Sequence, residues 1–421
     1  MKLIITNFIL ILTITITSGN SISETFEKIS ETGFGDINNR YTWSMCEFTP
    51  DSEDTESPTF LYVGTKNKSF DKTSEIHRMN VNTEVWENVT PDFNRYNQGV
   101  RALIVYENDF GKALYAGTVN RKKGCLVYRT FNGTDWEPVS LAKFGTNARS
   151  TCDSVRGAAV IDGFLYMGTV NDRRYIREAP YLFRFKEIKT DSGEIDKKLS
   201  WEAVIKPSDS LIGRNHMALA SILQYNGVIY AATWNHSNGA SIIASESGDS
   251  GEWELVMEGG FGEHITAELT MAEHNGYLYC GTGDGGNGFN IFRSNSPMES
   301  SSWEKIGDNN FGIGTPAKYA WSMLSRSDEK TFYCTVAIFN SFMPFAPAEK
   351  KGVHIYKSSD GVDWEQIVGP DSDTPAGIGN PDNFGIRSNV EINGTVYFGT
   401  AASPRSPQGF GHGCEIWKIV E

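Results

Sequence analysis

Leu114-Tyr115-Ala116-Gly117-Thr118 is a stretch that the chain repeats from end to end. Close copies begin at Leu61, Leu165, Ile229, Leu278, Phe332 and Val396. Successive tyrosines of these copies are 53, 51, 64, 49, 54 and 64 residues apart. Self-similarity at such spacing is typical of repeat folds, in which each repeat forms one supersecondary unit. The sequence therefore predicts seven copies of one unit.

Each copy is surrounded by the same succession of short strand signals. A strand of small residues precedes it, often across an Asn-Gly or Asp-Gly dipeptide such as Asn226-Gly227, which is a strong hairpin signal. A third strand follows, then a polar turn and a fourth strand that opens with Trp, as at Trp136. The repeat is expected to close on Phe-Gly, at residues 144–145, 261–262, 311–312 and 384–385. Four short strands per repeat without helical periodicity predict the blades of an all-β propeller.

The two ends of the chain predict how the last blade is completed. The last repeat stops at Ile416-Trp417-Lys418-Ile419, which corresponds to a third strand. Near the N-terminus, Phe26-Glu27-Lys28-Ile29 matches Trp303-Glu304-Lys305-Ile306. We therefore expect a seven-bladed β-propeller with four-stranded blades, in which the N-terminal strand completes blade seven, closes the ring and removes an exposed edge.

The first residues have the features of a secretory signal. Lys2 is followed by an apolar run to Ile16 and then by small residues, so residues 1–21 are expected to be removed. The run is too short and too rich in Thr for a membrane span. Residues 22–421 are expected to form one secreted, monomeric propeller domain. The sequons fit a secreted glycoprotein and lie at Asn67, Asn88, Asn132, Asn235 and Asn393.

Cysteine spacing and charge narrow the choice of partners. The six cysteines form no Cys-x-x-Cys pair, which disfavours zinc. In an oxidising compartment, Cys125–Cys152 and Cys414–Cys46 are the expected links between neighbouring blades. The formal net charge of −14 argues against nucleic acid. The glycine-rich residues 281–288 follow a strand with no helix after it, unlike a nucleotide loop, and calcium is the minor alternative there.

One turn carries a family resemblance. Ser358-Ser359-Asp360-Gly361-Val362-Asp363-Trp364 resembles the Asp-box of sialidase-like and BNR-repeat propellers, one residue short. Residues 132–136 and 245–253 are looser versions. In such families this turn is structural. The resemblance therefore implies the fold and assigns no catalytic residue.

Candidate binding residues come from the innermost strands. Aligning the repeats on their hairpins gives one ring of small residues: Ser44, Ala102, Gly157, Ser221, Thr270, Ser322 and Ser388. One position earlier stand Trp43, Arg101, Arg156, Ala220, Leu269, Trp321 and Arg387. Arginines stack on aromatic faces, and converging guanidiniums bind carboxylate or sulfate. The open alternative is that these side chains only pack between blades, with the arginine stems covering apolar surface.

The loops that lead into the first strand and out of the second share one rim of a propeller. Further candidates on this rim are Arg173, Arg174, Asn171, Trp234, His236 and His264, and Glu268 is a candidate in the innermost strand of blade five. Asn commonly bonds its own backbone in turns, which is the alternative for Asn171. Glu268 either pairs with Arg101 or Arg156 or acts as an acid or base. The long loop with Phe342 and Phe345 would suit a sugar, a partner protein or a packed lid.

These patterns favour a secreted binding module for carbohydrate or another anionic small molecule at the channel mouth. The alternative is a glycosidase or polysaccharide lyase in which the arginines clamp a carboxylate and Glu268, Asp284 or His264 serves as acid or base. A third alternative is a protein-interaction scaffold that uses the Phe342 loop. No nucleophile signature such as Gly-x-Ser-x-Gly is present in the sequence, and the patterns assign no catalytic residue, metal or cofactor.

Overall fold

The computed structural model describes residues 24–50, 57–69, 72–93, 95–171, 178–235, 237–264, 267–283, 288–307, 309–313, 317–338, 350–403 and 413–420. For residues 263–264, 267–269 and 309–310 only the backbone is described. The predicted signal segment lies outside these residues. The fold is all-β, as expected, with a few short helical turns.

The strands follow one another as short antiparallel elements. They are β1 (Thr25–Lys28), β2 (Asn39–Phe48), β3 (Phe60–Asn67), β4 (Ile76–Asn80), β5 (Trp86–Asn88), β6 (Gly99–Asn108), β7 (Gly111–Val119), β8 (Val127–Thr130), β9 (Glu137–Pro138), β10 (Ser154–Ile161), β11 (Phe164–Val170), β12 (Leu182–Phe185), β13 (Trp201–Ile205) and β14 (His216–Tyr225). They continue as β15 (Val228–Asn235), β16 (Ile242–Ser245), β17 (Glu254–Met257), β18 (Ala267–His274), β19 (Tyr277–Gly283), β20 (Ile291–Ser294), β21 (Glu304–Ile306), β22 (Ala317–Ser325), β23 (Phe332–Ile338), β24 (His354–Ser358), β25 (Glu365–Val368), β26 (Asn383–Ile392), β27 (Thr395–Ala402) and β28 (Ile416–Val420). Helical turns lie at Thr32–Gly35, Ala142–Gly145, Pro207–Asp209, Gly260–His264, Ser300–Ser302, Asn309–Gly312 and Ala376–Gly379.

Consecutive strands pair in groups of four, which is the arrangement of propeller blades. The groups are β2–β5, β6–β9, β10–β13, β14–β17, β18–β21 and β22–β25. The remaining strands pair in the order β26, β27, β28 and β1, so the N-terminal strand does lie against the last strand. We call these groups units 1 to 7, and the first strand of each is its inner strand.

Single backbone pairs join the second strand of one unit to the inner strand of the next. Lys66 pairs with Gly99 in this way, and Val170 pairs with Ala218. Ala401 of unit 7 pairs with Tyr41 of unit 1. Between the sheets lie the hydrophobic clusters, which contain the repeated tyrosines of the second strands. These units therefore share their cores with their neighbours.

The repeated tyrosine and the Asp-box turn contact each other across units. Tyr62 Oη donates to the carbonyl of Gly133 at 3.2 Å, and Tyr279 Oη donates to that of Asp360 at 3.3 Å. The Asp360 carboxylate accepts the backbone N–H groups of Val362 and Asp363, which lowers its pKa. The turn is therefore structural, as the resemblance implied.

Three of the tryptophans that open fourth strands make the same hydrogen bond to the preceding unit. The Trp303 indole donates to Pro297 instead, and those of Trp253 and Trp364 have no partner in the described residues. Trp136 Nε1 donates to the carbonyl of Val89 at 2.9 Å, so the indole bonds the fourth strand of the preceding unit. The same bond joins Trp86 to Ile29 at 2.6 Å. In six of the seven units, the residue after the aromatic is a Glu that pairs with a cation of the third strand: Arg78–Glu87, Arg129–Glu137, Arg184–Glu202, Arg293–Glu304, Lys357–Glu365 and Lys418–Glu27. In unit 4, Glu254 lies opposite Ala244. The N-terminal segment has both features, since Ile29 accepts the Trp86 bond and Glu27 pairs with Lys418.

The expected Phe-Gly end of a unit needs one correction. Phe144, Phe261 and Phe311 lie in helical turns with φ between 53 and 59°. Phe144 stacks on Phe183 of the third strand, at a centroid distance of 4.1 Å. Phe384-Gly385, however, lies inside inner strand β26. The equivalent residue of unit 6 is Ile378, with φ 56°, since the turn Ala376–Gly379 occupies that place.

Of the two expected disulfide links, the structure brings only one pair close. The six cysteines all lie in the described part of the chain and are free thiols. Cys125 N–H donates to the carbonyl of Cys152 at 2.9 Å, so these residues are neighbours. Cys414 lies beside Thr42. Cys46 is four residues further along β2, about 13 Å away, whereas a disulfide requires Cα atoms within about 7 Å. The expected Cys414–Cys46 link is therefore wrong.

Candidate functional site

The ring position that the sequence singled out is a β-bulge. The register between the inner and second strands shifts at Thr42/Ser44, Val100/Ala102, Val155/Ala158, Leu219/Ser221, Ala267/Thr270, Ala320/Ser322 and Ile386/Ser388. Trp43, Arg101, Trp321 and Arg387 are the residues skipped by these shifts. A bulge adds one unpaired residue and redirects its side chain, and bulges are common beside functional sites.

The small residues that follow the bulges join neighbouring inner strands. Ser44 Oγ donates to the carbonyl of Val100 at 3.0 Å. Ser322 Oγ donates to Ile386 at 3.2 Å, and Ser388 Oγ donates to Thr42 at 3.1 Å. A larger side chain would separate these strands. The structural interpretation of this ring is therefore correct for these serines.

Trp43 lies at the centre of a group of cations. Lys66 Nζ is 4.1 Å from a Trp43 ring centroid, and the guanidinium carbons of Arg101 and Arg387 are at 4.9 and 5.5 Å. Trp43 is 6% exposed, and its indole N–H has no hydrogen-bond partner in the described part of the chain. Gly99 lies against the indole, where a Cβ would collide with the ring. Three chain segments thus bring positive charge to one aromatic ring.

Arg387 also contacts a second tryptophan. Its guanidinium carbon is 5.4 Å from the Trp321 ring, so Arg387 lies near two indoles from neighbouring units. Trp321 packs on Phe384, at a centroid distance of 5.4 Å, and on the backbone at Gly385. Contact with these packed indoles restricts the rotamers of the Arg387 side chain, which would otherwise be flexible. The Trp321, Arg387 and Trp43 side chains, which stand at the same position in units 6, 7 and 1, are therefore in contact.

Arg156 has a different aromatic partner. Its guanidinium carbon lies 6.0 Å from Trp234 of the next unit. Arg101 reaches the same inner strand, because its Nη1 donates to Ser154 Oγ at 3.3 Å. The structure therefore brings Arg101 and Arg387 to one ring, and it places Arg156 on a neighbouring Arg–Trp contact two residues beyond Ser154.

Asn171 takes part in a network of loop hydrogen bonds. It is 1% exposed, and its Nδ2 donates to the carbonyl of Glu178 at 3.4 Å. The carboxylate of Glu178 accepts the backbone N–H groups of Ser150 and Thr151 at 3.0 and 3.2 Å. Asn120 and Asn235 form similar turns after their strands. These contacts match the structural alternative that the sequence left open for such asparagines.

Several predicted residues cannot be placed in the site. Arg173, Arg174 and His236 lie outside the described residues, as do Asp284, Phe342 and Phe345. The backbone of His264 ends a helical turn, and that of Glu268 lies in β18 at the register shift. His216 on the same rim is buried, with Nδ1 2.9 Å from Thr233 Oγ1, and this burial lowers its pKa to about 4.

Lys66 is the contributor that sequence reasoning missed. The residues at its position after the repeated motif are Lys66, Val119, Val170, Trp234, Gly283, Ala337 and Ala401. Most are small or aliphatic. The two that depart from the pattern, Lys66 and Trp234, are the ones that contact the bulge residues Trp43 and Arg156. A comparison of the repeats at this position would have added Lys66 to Trp234, which the sequence had already indicated.

A cavity of about 370 Å³ lies at the other end of the strands, between units 1, 6 and 7. Its lining includes Lys418, which pairs with Glu27 and Glu84, and Arg326, whose Nε is 3.5 Å from Glu391. Carboxylates therefore already balance the cations of this cavity.

No group of three or more His, Cys, Asp or Glu side chains in the described residues is arranged to hold a metal ion. None of the helices in the described ranges has the length and hydropathy needed to cross a membrane.

Comparison with known proteins gives structural likenesses only. No protein-family model matches the sequence, and no curated protein matches it. A sialidase of Trypanosoma rangeli is 12% identical, with a TM-score of 0.43, and the match covers 80% of this chain and 56% of the sialidase. An ulvan-degrading polysaccharide lyase is 10% identical, with a TM-score of 0.49 and coverage of 92% and 94%. A prolyl endopeptidase is 12% identical, with a TM-score of 0.46 and coverage of 86% and 47%. The chain thus spans about half the length of the sialidase and the peptidase, and likeness at such identities concerns the fold alone.

Proposed function

We propose that this protein binds a carbohydrate or another anionic extracellular ligand at the mouth of the propeller channel. The observation that carries the proposal is the convergence of Lys66, Arg101 and Arg387 on the Trp43 ring. All three charges approach one indole. An anion between them would be attracted by every member of the group.

The energetics of this cluster favour an anionic occupant. Two like charges about 8 Å apart repel by about 2 kcal/mol at an effective dielectric constant of 20. Cation–π contacts of roughly 0.5–2 kcal/mol each offset part of this repulsion. A carboxylate or sulfate between the cations would replace this repulsion by attraction. It would also accept charge-assisted hydrogen bonds from the guanidiniums.

The aromatic side chains give the site a means to bind sugars. Trp321 and Tyr41 are half-buried aromatic side chains beside the cations, and Tyr41 lies 6.0 Å from Trp43. A sugar ring packs on such surfaces through its apolar face while its acidic group reaches an arginine. Binding of an acidic sugar therefore uses both features of the cluster.

We also propose that the seven units close into one ring, formed by residues 22–421 after removal of a signal segment at 1–21. Support comes from the β1–β28 pairing, from the Trp86–Ile29 hydrogen bond and from the bond of Ser388 to Thr42. A closed ring fixes the bulge residues around one channel. A secreted monomer is the form in which this rim would meet an extracellular glycan.

The test is ligand binding by the secreted mature protein. A glycan array identifies binding sugars, and calorimetry compares the wild type with Arg387→Gln, which keeps a polar side chain but removes the charge. Acidic glycans should bind, and the variant should lose most of that affinity. If only neutral glycans bind, and Arg387→Gln binds them as the wild type does, the cluster is structural and the proposal fails.

The enzymatic alternative is tested with the same proteins. A lyase or glycosidase using an arginine clamp would convert an acidic polysaccharide into smaller products. Ultraviolet absorbance would report the unsaturated uronates of a lyase, and reducing-end assays would report hydrolysis. Turnover that disappears in Arg387→Gln would establish catalysis at this rim.

A further inference from the structure

The rim beside Trp43 is strongly basic in a protein that is acidic overall. The segments 38–41, 66–69, 95–99 and 119–124 contain seven Lys or Arg residues and no Asp or Glu. The whole chain has a formal net charge of −14. Only Lys66 of these seven belongs to the cluster around Trp43. We call the four segments the rim strip.

Backbone hydrogen bonds join the four segments into one surface. Lys68 N–H donates to Asn38 O at 2.9 Å, and Asn67 N–H donates to Gln98 O at 3.1 Å. Gln98 N–H donates to Val119 O at 2.8 Å. The segments come from units 1 and 2, so the rim strip runs across two neighbouring units and away from the channel.

Aromatic rings alternate with the cations along the rim strip. Lys66 and Lys68 lie 5.0 and 5.3 Å from the Tyr41 ring. Lys122 and Arg95 lie 3.8 and 5.0 Å from the Tyr96 ring. Partial burial, together with the neighbouring charges of Arg40 and Arg121, lowers the pKa of Lys68. Cations from separate segments therefore lie within electrostatic reach of each other.

We propose that the rim strip binds further anionic groups of the ligand held at Trp43, so that the natural ligand is a polyanionic glycan chain with repeated carboxylates or sulfates. This inference rests on the proposed function and extends it. One anionic group would occupy the cluster of Lys66, Arg101 and Arg387. The next groups along the chain would contact Lys68 and Arg121, with sugar rings beside Tyr41 and Tyr96.

The charge distribution favours a single flexible chain over a broad anionic surface. Charges on the protein surface act over about 8 Å at physiological salt. Two carboxylates border the rim strip, since Asp36 accepts from Asn38 and Asn67 and Glu75 accepts from Asn39, and they pair with Lys72 and His77. A narrow glycan could follow the rim strip while most other acidic groups of the molecule stay beyond this range. A membrane or a nucleic acid duplex would present anions to that remainder as well, and repulsion would oppose its binding.

The experiment measures affinity against ligand length with the mature protein. The probes are oligosaccharides of polygalacturonate, which carry carboxylates, and of heparin, which carry sulfates, in sizes from two to eight sugars. The rim variant is Lys68→Ala with Arg121→Ala, both exposed. The matched control is Lys198→Ala with Lys330→Ala, which removes two exposed charges at the opposite end of the strands.

We expect affinity to rise with length for at least one series, and the rim variant to lose roughly tenfold of its octasaccharide affinity, as the loss of two solvent-exposed ion pairs predicts. Its disaccharide affinity should stay at the wild-type value. The dependence of log affinity on log salt should become shallower by about 2, because two fewer cations release counterions. The control variant should behave as the wild type, and circular dichroism should show all proteins folded.

The possible failures are distinguishable. If the rim variant binds the octasaccharide as tightly as the wild type, the rim strip has no role, while disaccharide binding that needs Arg387 would keep the proposed function. If the rim variant loses octasaccharide affinity but Arg387→Gln does not, the rim strip acts without the Trp43 cluster and the proposed function fails. Equal affinity for phosphatidylserine vesicles or single-stranded DNA would overturn the assignment to a glycan.

Discussion

The indole N–H of Trp86 donates a 2.6 Å hydrogen bond to the backbone carbonyl of Ile29. Trp136 and Trp201 make the same bond to Val89 and Val139 of the preceding unit. The N-terminal segment therefore occupies the place of a fourth strand, because Trp86 bonds it as Trp136 and Trp201 bond the fourth strands before them. The Trp86 bond joins the N-terminal segment to unit 1, and the β1–β28 ladder joins it to the C-terminal strand.

Deleting residues 26–29 should lower stability more than the size of the segment suggests. The deletion removes the β1–β28 ladder, the Lys418–Glu27 pair and the acceptor of Trp86. We expect a lower melting temperature in calorimetry and greater aggregation through the exposed edge of β28. Trp86→Phe isolates the indole bond and should cost about 1 kcal/mol, as should Trp136→Phe. A deleted protein that melts like the full mature chain would contradict the closure argument.

Gly361→Ala should be more damaging than a positive φ alone explains. Gly361 and Gly227 have φ of 71° and 80°. A Cβ on Gly361 would collide with Tyr279 Oη, whereas nothing lies within 4 Å of one on Gly227. Gly227→Ala should therefore cost only the left-handed strain of about 1–2 kcal/mol, and Gly361→Ala a further 1–3 kcal/mol from the collision. Urea unfolding measures both. Equal losses would mean that the Asp-box turn does not depend on the tyrosine contact.

Stability should fall as the pH drops from about 6.5 towards 4. Burial lowers the pKa of both His216 and His354 to about 4, below the 6.5 of the unfolded chain. Between these two pKa values the unfolded state binds more protons than the folded state, so acidification favours unfolding. Above pH 6.5 both states bind the same number of protons, and the loss of stability disappears. Each histidine should cost on the order of 1 kcal/mol by pH 5.5. Urea unfolding at pH 7.5 and 5.5 checks this, with His354→Gln expected to reduce the slope. An unchanged slope in that variant would assign the pH dependence to other groups.

Cys125 and Cys152 remain a predicted disulfide. Their backbones are hydrogen-bonded, and burial raises the pKa of Cys152 to about 12, so little thiolate exists in the folded protein. Oxidation should therefore occur before the core closes, and a folded, reduced protein should resist thiol reagents. The link would add roughly 3–4 kcal/mol for a loop of this size. Non-reducing peptide mapping of secreted protein tests the pair, and free Cys125 and Cys152 would refute it.

Arg156→Ala should weaken an acidic glycan by about 1.5–3 kcal/mol, the range for a hydrogen bond to a charged group. Its guanidinium, near Trp234, lies on the inner strand that Arg101 reaches through Ser154. A neutral glycan should lose little affinity. Calorimetry with matched acidic and neutral sugars checks the difference. Equal effects on both sugars would make Arg156 a packing residue.

The four-stranded units were predictable because tyrosines, turns and tryptophans recur at matching places in every copy. The completion of unit 7 was predictable for the same reason, since Phe26–Ile29 copies a fourth strand. The bulges were not, because one extra residue in a strand leaves no mark on a pattern of small residues. Lys66 was missed since it belongs to the second strand and approaches Trp43 only through the register. The Cys414–Cys46 link was predicted wrongly because the sequence pattern shows which units are neighbours but not how far along β2 each cysteine lies.

Pairing between the first and last strands also determines when the fold can be completed during synthesis. Ser30 Oγ accepts the backbone N–H of Ile416, 386 residues later. Until that residue leaves the ribosome, β1 has no partner strand, although the middle units can already pair. The nascent chain therefore carries the unpaired edge of β1 until β28 has been synthesised.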